Sequence, residues 1–218
     1  MSSEVEQGVL FVITGPSGVG KSTLIEYVRR HMPHLGFSVS ATTRARRQGE
    51  VHGEDYFFLD HEIFLEKEKA GAFLESATVY NHRYGTLRSH VDGARAVGQS
   101  IVLDIDVLGA RQIREKCPDA VFIFILPPNI DTLEGRLRSR GTDSEAIIQR
   151  RMAQVAKQIQ GCAEFDYLVM NDDLSAAKQN LLSIFKAELC RVSVRRLWVA
   201  QALEDVSQRS AFGDPNES

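Results

Sequence analysis

The chain has 218 residues, with 26 Lys and Arg against 29 Asp and Glu and a hydrophobic content of 43%. That composition is ordinary for a soluble globular protein, and the length suits one domain with insertions at about 150 residues per domain. A formal net charge of -3 argues against a general nucleic-acid binder, no apolar run approaches the ~20 residues of a membrane span, and three scattered cysteines suit the reducing cytoplasm better than a disulfide framework.

In chain order, the opening MSSEVEQ has no basic region followed by an apolar run, so no secretory signal is expected. VLFVIT (9–14) predicts a buried strand, and Leu24, Val28 and His31 then space one face of a helix. From about 36 to 98 the rhythm changes. Short strand-like pieces, FSVSA and DYFFL, are interrupted by glycines and charges, which predicts an insertion with local β structure. SIVLDID (100–106) predicts a strand that turns polar at its end, with Leu108, Ile113 and Arg114 in the helix-length segment behind it. VFIFIL (121–126) predicts another buried strand. Leu133, Leu137, Ile147, Ile148, Met152, Val155 and Ile159 continue it as helix, in a stretch rich in arginine. DYLVMN (166–171) is a fourth strand candidate, followed by Leu174, Ala177, Leu181, Leu182, Phe185 and Leu189 at helical spacing. Strands alternating with helices predict an α/β fold, a parallel sheet covered on both faces. The expected organisation is a core of 1–35, 99–133 and 161–206, an insertion at 36–98, an arginine-rich helical segment at 134–160 and a flexible polar tail at 207–218.

The strongest chemical signal is GPSGVGKST, formed by Gly15, Pro16, Ser17, Gly18, Val19, Gly20, Lys21, Ser22 and Thr23. It fits G-x-x-x-x-G-K-[ST] and lies between a predicted strand and a predicted helix, the context a phosphate-binding loop requires. Glycines let backbone N–H groups wrap a polyphosphate, and the next helix presents its positive end to it. Lys21 then suits the β- and γ-phosphates of ATP, and the Ser22 hydroxyl suits Mg²⁺. In LDID, strand alternation puts Asp104 and Asp106 on one face at the ligand-binding end of a parallel strand. Asp104 can hold Mg²⁺ through water, leaving Asp106 for another partner. Two solvated strand-end carboxylates are the ordinary alternative.

SATTRARRQGE (40–50) places Arg44, Arg46 and Arg47 within four positions of an otherwise slightly acidic chain. A phosphoryl donor site needs an acceptor site opposite. A nucleoside monophosphate brings its own dianion (second pKa about 6) and needs cations rather than a strong general base. Arg44 and Arg47 suit that task through forked hydrogen bonds.

From about Val9 to Leu197 the chain resembles the guanylate kinases, of the nucleoside monophosphate kinase group. The resemblance rests on GPSGVGKST, SVSATTRARRQGEVHGEDYFF, GAFLE, YGT, LDIDVLGA, RLRSRGTDSE and DYLVMNDD, in the family's order. It implies a P-loop NTPase fold and transfer of a phosphoryl group from ATP to GMP with Mg²⁺, with ATP and GMP as small-molecule partners. It also implies that Arg44, Arg47, Tyr56 and Tyr84 hold the GMP phosphate, and that Ser40, Glu75, Thr86 and Asp106 read guanine. Residues 36–98 would then be the GMP-binding region and 134–160 a mobile lid, whose Arg136, Arg140 and Arg151 close over the phosphates. Arg138 and Arg150 fit a solvated helix face. Arg46 stands where the family usually has Pro.

The chemistry of the base agrees with that assignment. Guanine offers N1–H and N2–H₂ as donors to carboxylates and O6 as an acceptor for a hydroxyl, whereas adenine would turn a bare N1 acceptor toward a carboxylate. Taken alone, Glu75 reads as a solvated helix or strand end, and Tyr56 and Tyr84 read as half-buried packing residues. Three other readings of the chain remain: a P-loop kinase for another phosphorylated small molecule, an interaction module with a decayed donor site, and a nucleic-acid binder.

Overall fold

The computed structural model describes residues 5–79, 81–139 and 145–211. Its strands are β1 (Leu10–Thr14), β2 (Gly36–Phe37), β3 (Ala41–Thr42), β4 (Phe57–Phe58), β5 (Phe73–Val79), β6 (His82–Leu87), β7 (Ile101–Asp104), β8 (Val121–Leu126) and β9 (Tyr167–Met170). Its helices are α1 (Lys21–His31), α2 (His61–Lys69), α3 (Arg88–Ala96), α4 (Val107–Lys116), α5 (Ile130–Ser139), α6 (Glu145–Gln160), α7 (Leu174–Glu188) and α8 (Arg196–Ala211). A 3₁₀ turn, Gly161–Glu164, joins α6 to β9.

The core is a five-stranded sheet in the order β2-β7-β1-β8-β9, and every pairing in it is parallel. The apolar runs that predicted buried strands form its centre. Period-two alternation explains how one strand serves two cores. Phe11 and Ile13 of β1 join Leu24, Val28, Leu181 and Phe185 of α1 and α7 on one side. Leu10 and Val12 join Val91 of α3 and Ala110 and Ile113 of α4 on the other. Phe11 and Phe185 stack with ring centroids 3.9 Å apart, and truncating either to Ala would cost about 3–5 kcal/mol. Two faces of the helical predictions differ from the structure. His31 is exposed and bonds the Tyr27 carbonyl, and Leu108 is exposed at the first turn of α4. β9 is an edge strand, so Leu168 and Met170 reach solvent while Val169 is buried.

Residues 36–98 carry a second sheet in the order β4-β3-β6-β5. It is mixed: β3 pairs with β4 in parallel and with β6 antiparallel, and β5 pairs with β6 antiparallel. Ala41, Phe64 and Phe73 form a small core beneath it. This stretch is rooted in the main core at both ends, because β2 pairs with β7 and α3 supplies Val91 to the core beside Ile113. β5 is also fastened to α4. The Gln112 amide accepts from Ser76 N at 3.1 Å and donates to Ser76 O at 2.8 Å, and Lys116 donates to Leu74 O.

Side chains cap several helix starts: Asp106 accepts from Gly109 N ahead of α4, Asn129 from Thr132 N ahead of α5, and Asp173 from Ala176 N ahead of α7. α1 ends just before Pro33, which cannot continue the backbone ladder. α8 runs to Ala211, so the stretch read as a flexible tail begins as a helix at 207–211. Its residues from Trp198 to Gln208 are exposed.

Candidate active site

β1 ends in the glycine-rich loop. Gly15, Gly18 and Gly20 take φ of 150°, 86° and 100°, a region that side chains disfavour. At all three a Cβ would also crowd a neighbour, at Gly18 the Leu137 side chain at 2.8 Å. A Cβ on Gly15 would lie 2.3 Å from the Ile125 carbonyl oxygen, and one on Gly20 would lie 2.5 Å from Asn171 Nδ2. Asn171 follows β9, is buried, and donates to Val19 O at 2.7 Å. The ends of β8 and β9 therefore brace the loop from behind. Pro16 and Val19 are buried, whereas Ser17, Ser22 and Thr23 keep access to solvent. Gly20 is the N-cap of α1, with no side-chain cap. The first turn of α1 therefore keeps N–H groups available for an anion.

Lys21 Nζ donates to Gly15 O at 2.9 Å and lies 3.6 Å from Asp104 Oδ1. Burial pushes the Asp104 carboxyl up, and Lys21 opposes that shift. Ser22 and Asp104 line one small hollow of about 160 Å³. The LDID expectation needs one correction: β7 stops at Asp104, and Asp106 is the N-cap of α4 rather than the next residue of the same strand face. Its Oδ1 accepts from Gly109 N at 2.8 Å, which occupies one oxygen and leaves the other.

On the acceptor side, Glu75 of β5 is buried. Thr86 Oγ1 donates to Glu75 Oε1 at 2.7 Å. Burial raises the Glu75 carboxyl to about 7; the Thr86 bond opposes this and the Asp106 charge adds to it. Gly109 supplies the space for this carboxylate, since a Cβ there would lie 2.6 Å from Glu75 Oε2 and 3.4 Å from Asp106 Oδ1. The two carboxylates thus meet around the first turn of α4. Ser40 lies just before β3, with its carbonyl accepting from Phe57 N.

The three arginines of the loop behave differently. The Arg44 guanidinium lies over the Tyr56 and Phe58 rings, 5.2 and 5.7 Å from their centroids, and Tyr56 and Tyr84 meet edge to face at 6.0 Å. Arg44 is half-buried, while Arg46 and Arg47 are exposed. Burial raises the Tyr56 hydroxyl pKa, and the charges of Tyr84 and Asp104 add to the shift.

The arginine-rich segment reaches the loop from above. Arg136 of α5 donates to Asn171 O at 3.0 Å and to Val19 O at 3.4 Å. Arg151 of α6 donates to Ser17 Oγ at 2.8 Å. Arg138 pairs with Glu134 and Glu145 on the exposed face, as its solvated position predicts. Arg140 lies outside the described residues. Sequence reasoning missed Asn171, Gly109 and Glu50. Each sits inside a quoted motif (DYLVMNDD, LDIDVLGA and RARRQGE), but their roles are contacts that spacing does not reveal. Among the described residues no helix is long and apolar enough to cross a membrane.

Known proteins resemble this chain in sequence and fold. A family profile for guanylate kinase matches residues 7–188. The guanylate kinase of Carboxydothermus hydrogenoformans is 44% identical over 203 residues, 92% of this chain and 100% of that protein. That of Escherichia coli is 48% identical over 189 residues, 86% of this chain and 91% of that one. The crystal structure of guanylate kinase from Anaplasma phagocytophilum superposes with a TM-score of 0.71 at 32% identity, covering 87% of this chain and 90% of that one. The fold is that of the P-loop NTPases, and the chain belongs to the guanylate kinase family.

Proposed function

We propose that this chain transfers the γ-phosphoryl group of ATP to GMP, giving ADP and GDP. The observation that carries the reading is the pairing of Glu75 and Asp106 around Gly109, with Asp106 two residues along the chain from Asp104, which lies beside Lys21 of the phosphate loop. Two acceptor-only carboxylates suit the N1–H and N2–H₂ edge of guanine, and an adenine there would leave buried polar groups unpaired. A phosphate oxygen of GMP attacks the γ-phosphorus, and the bond to the β–γ bridging oxygen breaks as ADP leaves. The GMP dianion needs no base to remove a proton.

Arg44, Arg47, Tyr56 and Tyr84 would hold the acceptor phosphate, Ser40 and Thr86 would add hydroxyls on the base side, and the loop from Gly15 to Thr23 would cradle the donor. Lys21, already beside Gly15 O and Asp104, would turn to the β- and γ-phosphates. Arg136, Arg140 and Arg151 would stabilise charge shifting between donor and acceptor oxygens. Ser22 and Asp104 fit Mg²⁺, which takes one or two protein oxygens and completes its shell from phosphates and water. When bound, it neutralises charge on the β- and γ-oxygens. In this reading residues 36–98 are the GMP-binding region and 134–160 the lid. The three well-separated cysteines suit a cytoplasmic setting.

The test is ADP release with GMP, AMP, CMP and UMP offered in turn. GMP alone is expected to turn over efficiently, and Lys21→Ala is expected to abolish turnover while leaving the fold intact, as far-UV circular dichroism would report. Equal rates with AMP would overturn the base assignment. Arg136→Ala should lower kcat, by on the order of 10³-fold, and Arg44→Ala should raise the KM for GMP.

A further inference from the structure

Arg44 does not wait as a loose cation. Its Nη1 donates to Glu50 Oε2 at 3.0 Å and its Nη2 to Glu50 Oε1 at 2.6 Å. A second Nη1 hydrogen goes to Ala45 O at 2.8 Å. One carboxylate thus consumes the end-on edge of the guanidinium, both Nη groups at once. The side edge, Nε–H with the second Nη2–H, is a fork of the same kind that Glu50 leaves uncovered, and the Tyr84 side chain also interacts with this guanidinium. The Glu50 Oε2 also accepts from Arg47 N at 2.7 Å, so the carboxylate ties the Arg44 side chain to the Arg47 backbone. The rings of Tyr56 and Phe58 lie against the same guanidinium, 5.2 and 5.7 Å from its carbon to their centroids. The hydrogen bond from Arg44 holds the Glu50 carboxyl below its usual range, so it stays ionised near neutrality.

We infer that Glu50 is a positioning residue for the acceptor phosphate: it closes the 44–50 turn and holds Arg44 so that only its side edge is offered to two phosphate oxygens. Placing a negative charge there weakens the local positive field. That is worth its cost only if orientation governs, because a free arginine samples many rotamers and its planar fork must be aligned to be used. The inference rests on the assignment of Arg44 to the phosphate. It opposes a second possibility, that Glu50 merely competes with the phosphate for Arg44, and the two predict opposite signs.

The experiment is steady-state kinetics at saturating ATP on wild type, E50Q, R44A and the E50Q/R44A double variant, with melting temperatures measured alongside. The Gln amide can accept at one oxygen but turns N–H groups toward the other guanidinium nitrogen. E50Q is therefore expected to raise the KM for GMP about 30-fold, the scale of a lost charge-assisted bond. Its kcat should stay within about threefold and its KM for ATP should not change. In the R44A background the same substitution should add less than about threefold, because its target is gone. A lower or unchanged KM in E50Q overturns the inference, and so does a full 30-fold rise in the R44A background. If R44A itself leaves the KM unchanged, it is the assignment of Arg44 to the phosphate that has failed. E50D, which keeps the charge and loses the reach, runs the same cycle if E50Q does not fold.

Discussion

Glu75 binds function and stability in opposite directions, and Glu75→Gln separates them. The carboxyl is 3% exposed, and burial lifts it to about 7 from the ordinary 4.5. Between those values the folded state holds a proton that the unfolded chain has released, so stability falls as pH rises through the window. Below 4.5 both states are protonated and the penalty vanishes; above 7 both are ionised and it is complete. At about 1.4 kcal/mol per unit, the penalty is about 3 kcal/mol at pH 8 and under about 1 kcal/mol at pH 5. Gln has nearly the same shape, keeps an oxygen for the Thr86 hydroxyl, and carries no charge to desolvate. The substituted protein should therefore gain stability on wild type between pH 5 and pH 8, by about 2 kcal/mol in urea unfolding, a shift in Tm of several degrees. The same substitution should erase the GMP-over-AMP preference. Wild-type kcat/KM for GMP should fall as pH drops through about 7, where Glu75 takes up its proton, and E75Q should lack that limb. A stability difference between the two proteins that is identical at pH 5 and pH 8 would refute the reasoning.

Gly109→Ala would drive a methyl group to 2.6 Å from Glu75 Oε2; a destabilisation of about 1–3 kcal/mol is expected, with GMP use lost and ATP binding, followed by a fluorescent analogue, retained. Asp106→Asn should keep the α4 cap, because Asn caps a helix as well as Asp does, and so should leave Tm unchanged while lowering the GMP-over-AMP rate ratio. Asn171→Ala removes the shorter of two donors to the Val19 carbonyl and leaves it the longer Arg136 contact, which should cost about 0.5–1.5 kcal/mol in denaturant unfolding and raise the KM for ATP.

The parts legible in the sequence were those written in contiguous residues. The phosphate loop is one unbroken motif, and the alternation of β1 announces a strand with two buried faces. β2 is two residues long, too short to show any period, so the tie between 36–98 and the core sheet was out of reach. Asp106 looked like a strand residue because LDID alternates; the signal for a helix cap, an Asp with an N–H three residues on, was present but weaker. Asn171 and Val19 are 152 positions apart, and no local pattern encodes such a contact. The Arg44–Glu50 pair lies six positions apart, off the helical period and about 20 Å apart along an extended strand, and only the folded turn brings the two together.

The far pole of the molecule holds a practical consequence. Leu197 N donates to Glu6 Oε1 at 3.1 Å, and Arg195 lies 3.9 Å from the other Glu6 oxygen. The entry to β1 and the root of α8 therefore sit together, at the opposite end of a parallel sheet from the nucleotide mouth. An anchor placed ahead of residue 5 would hold this protein to a bead or an electrode with its mouth facing the liquid. Substrate would then reach the immobilised molecule without passing the support.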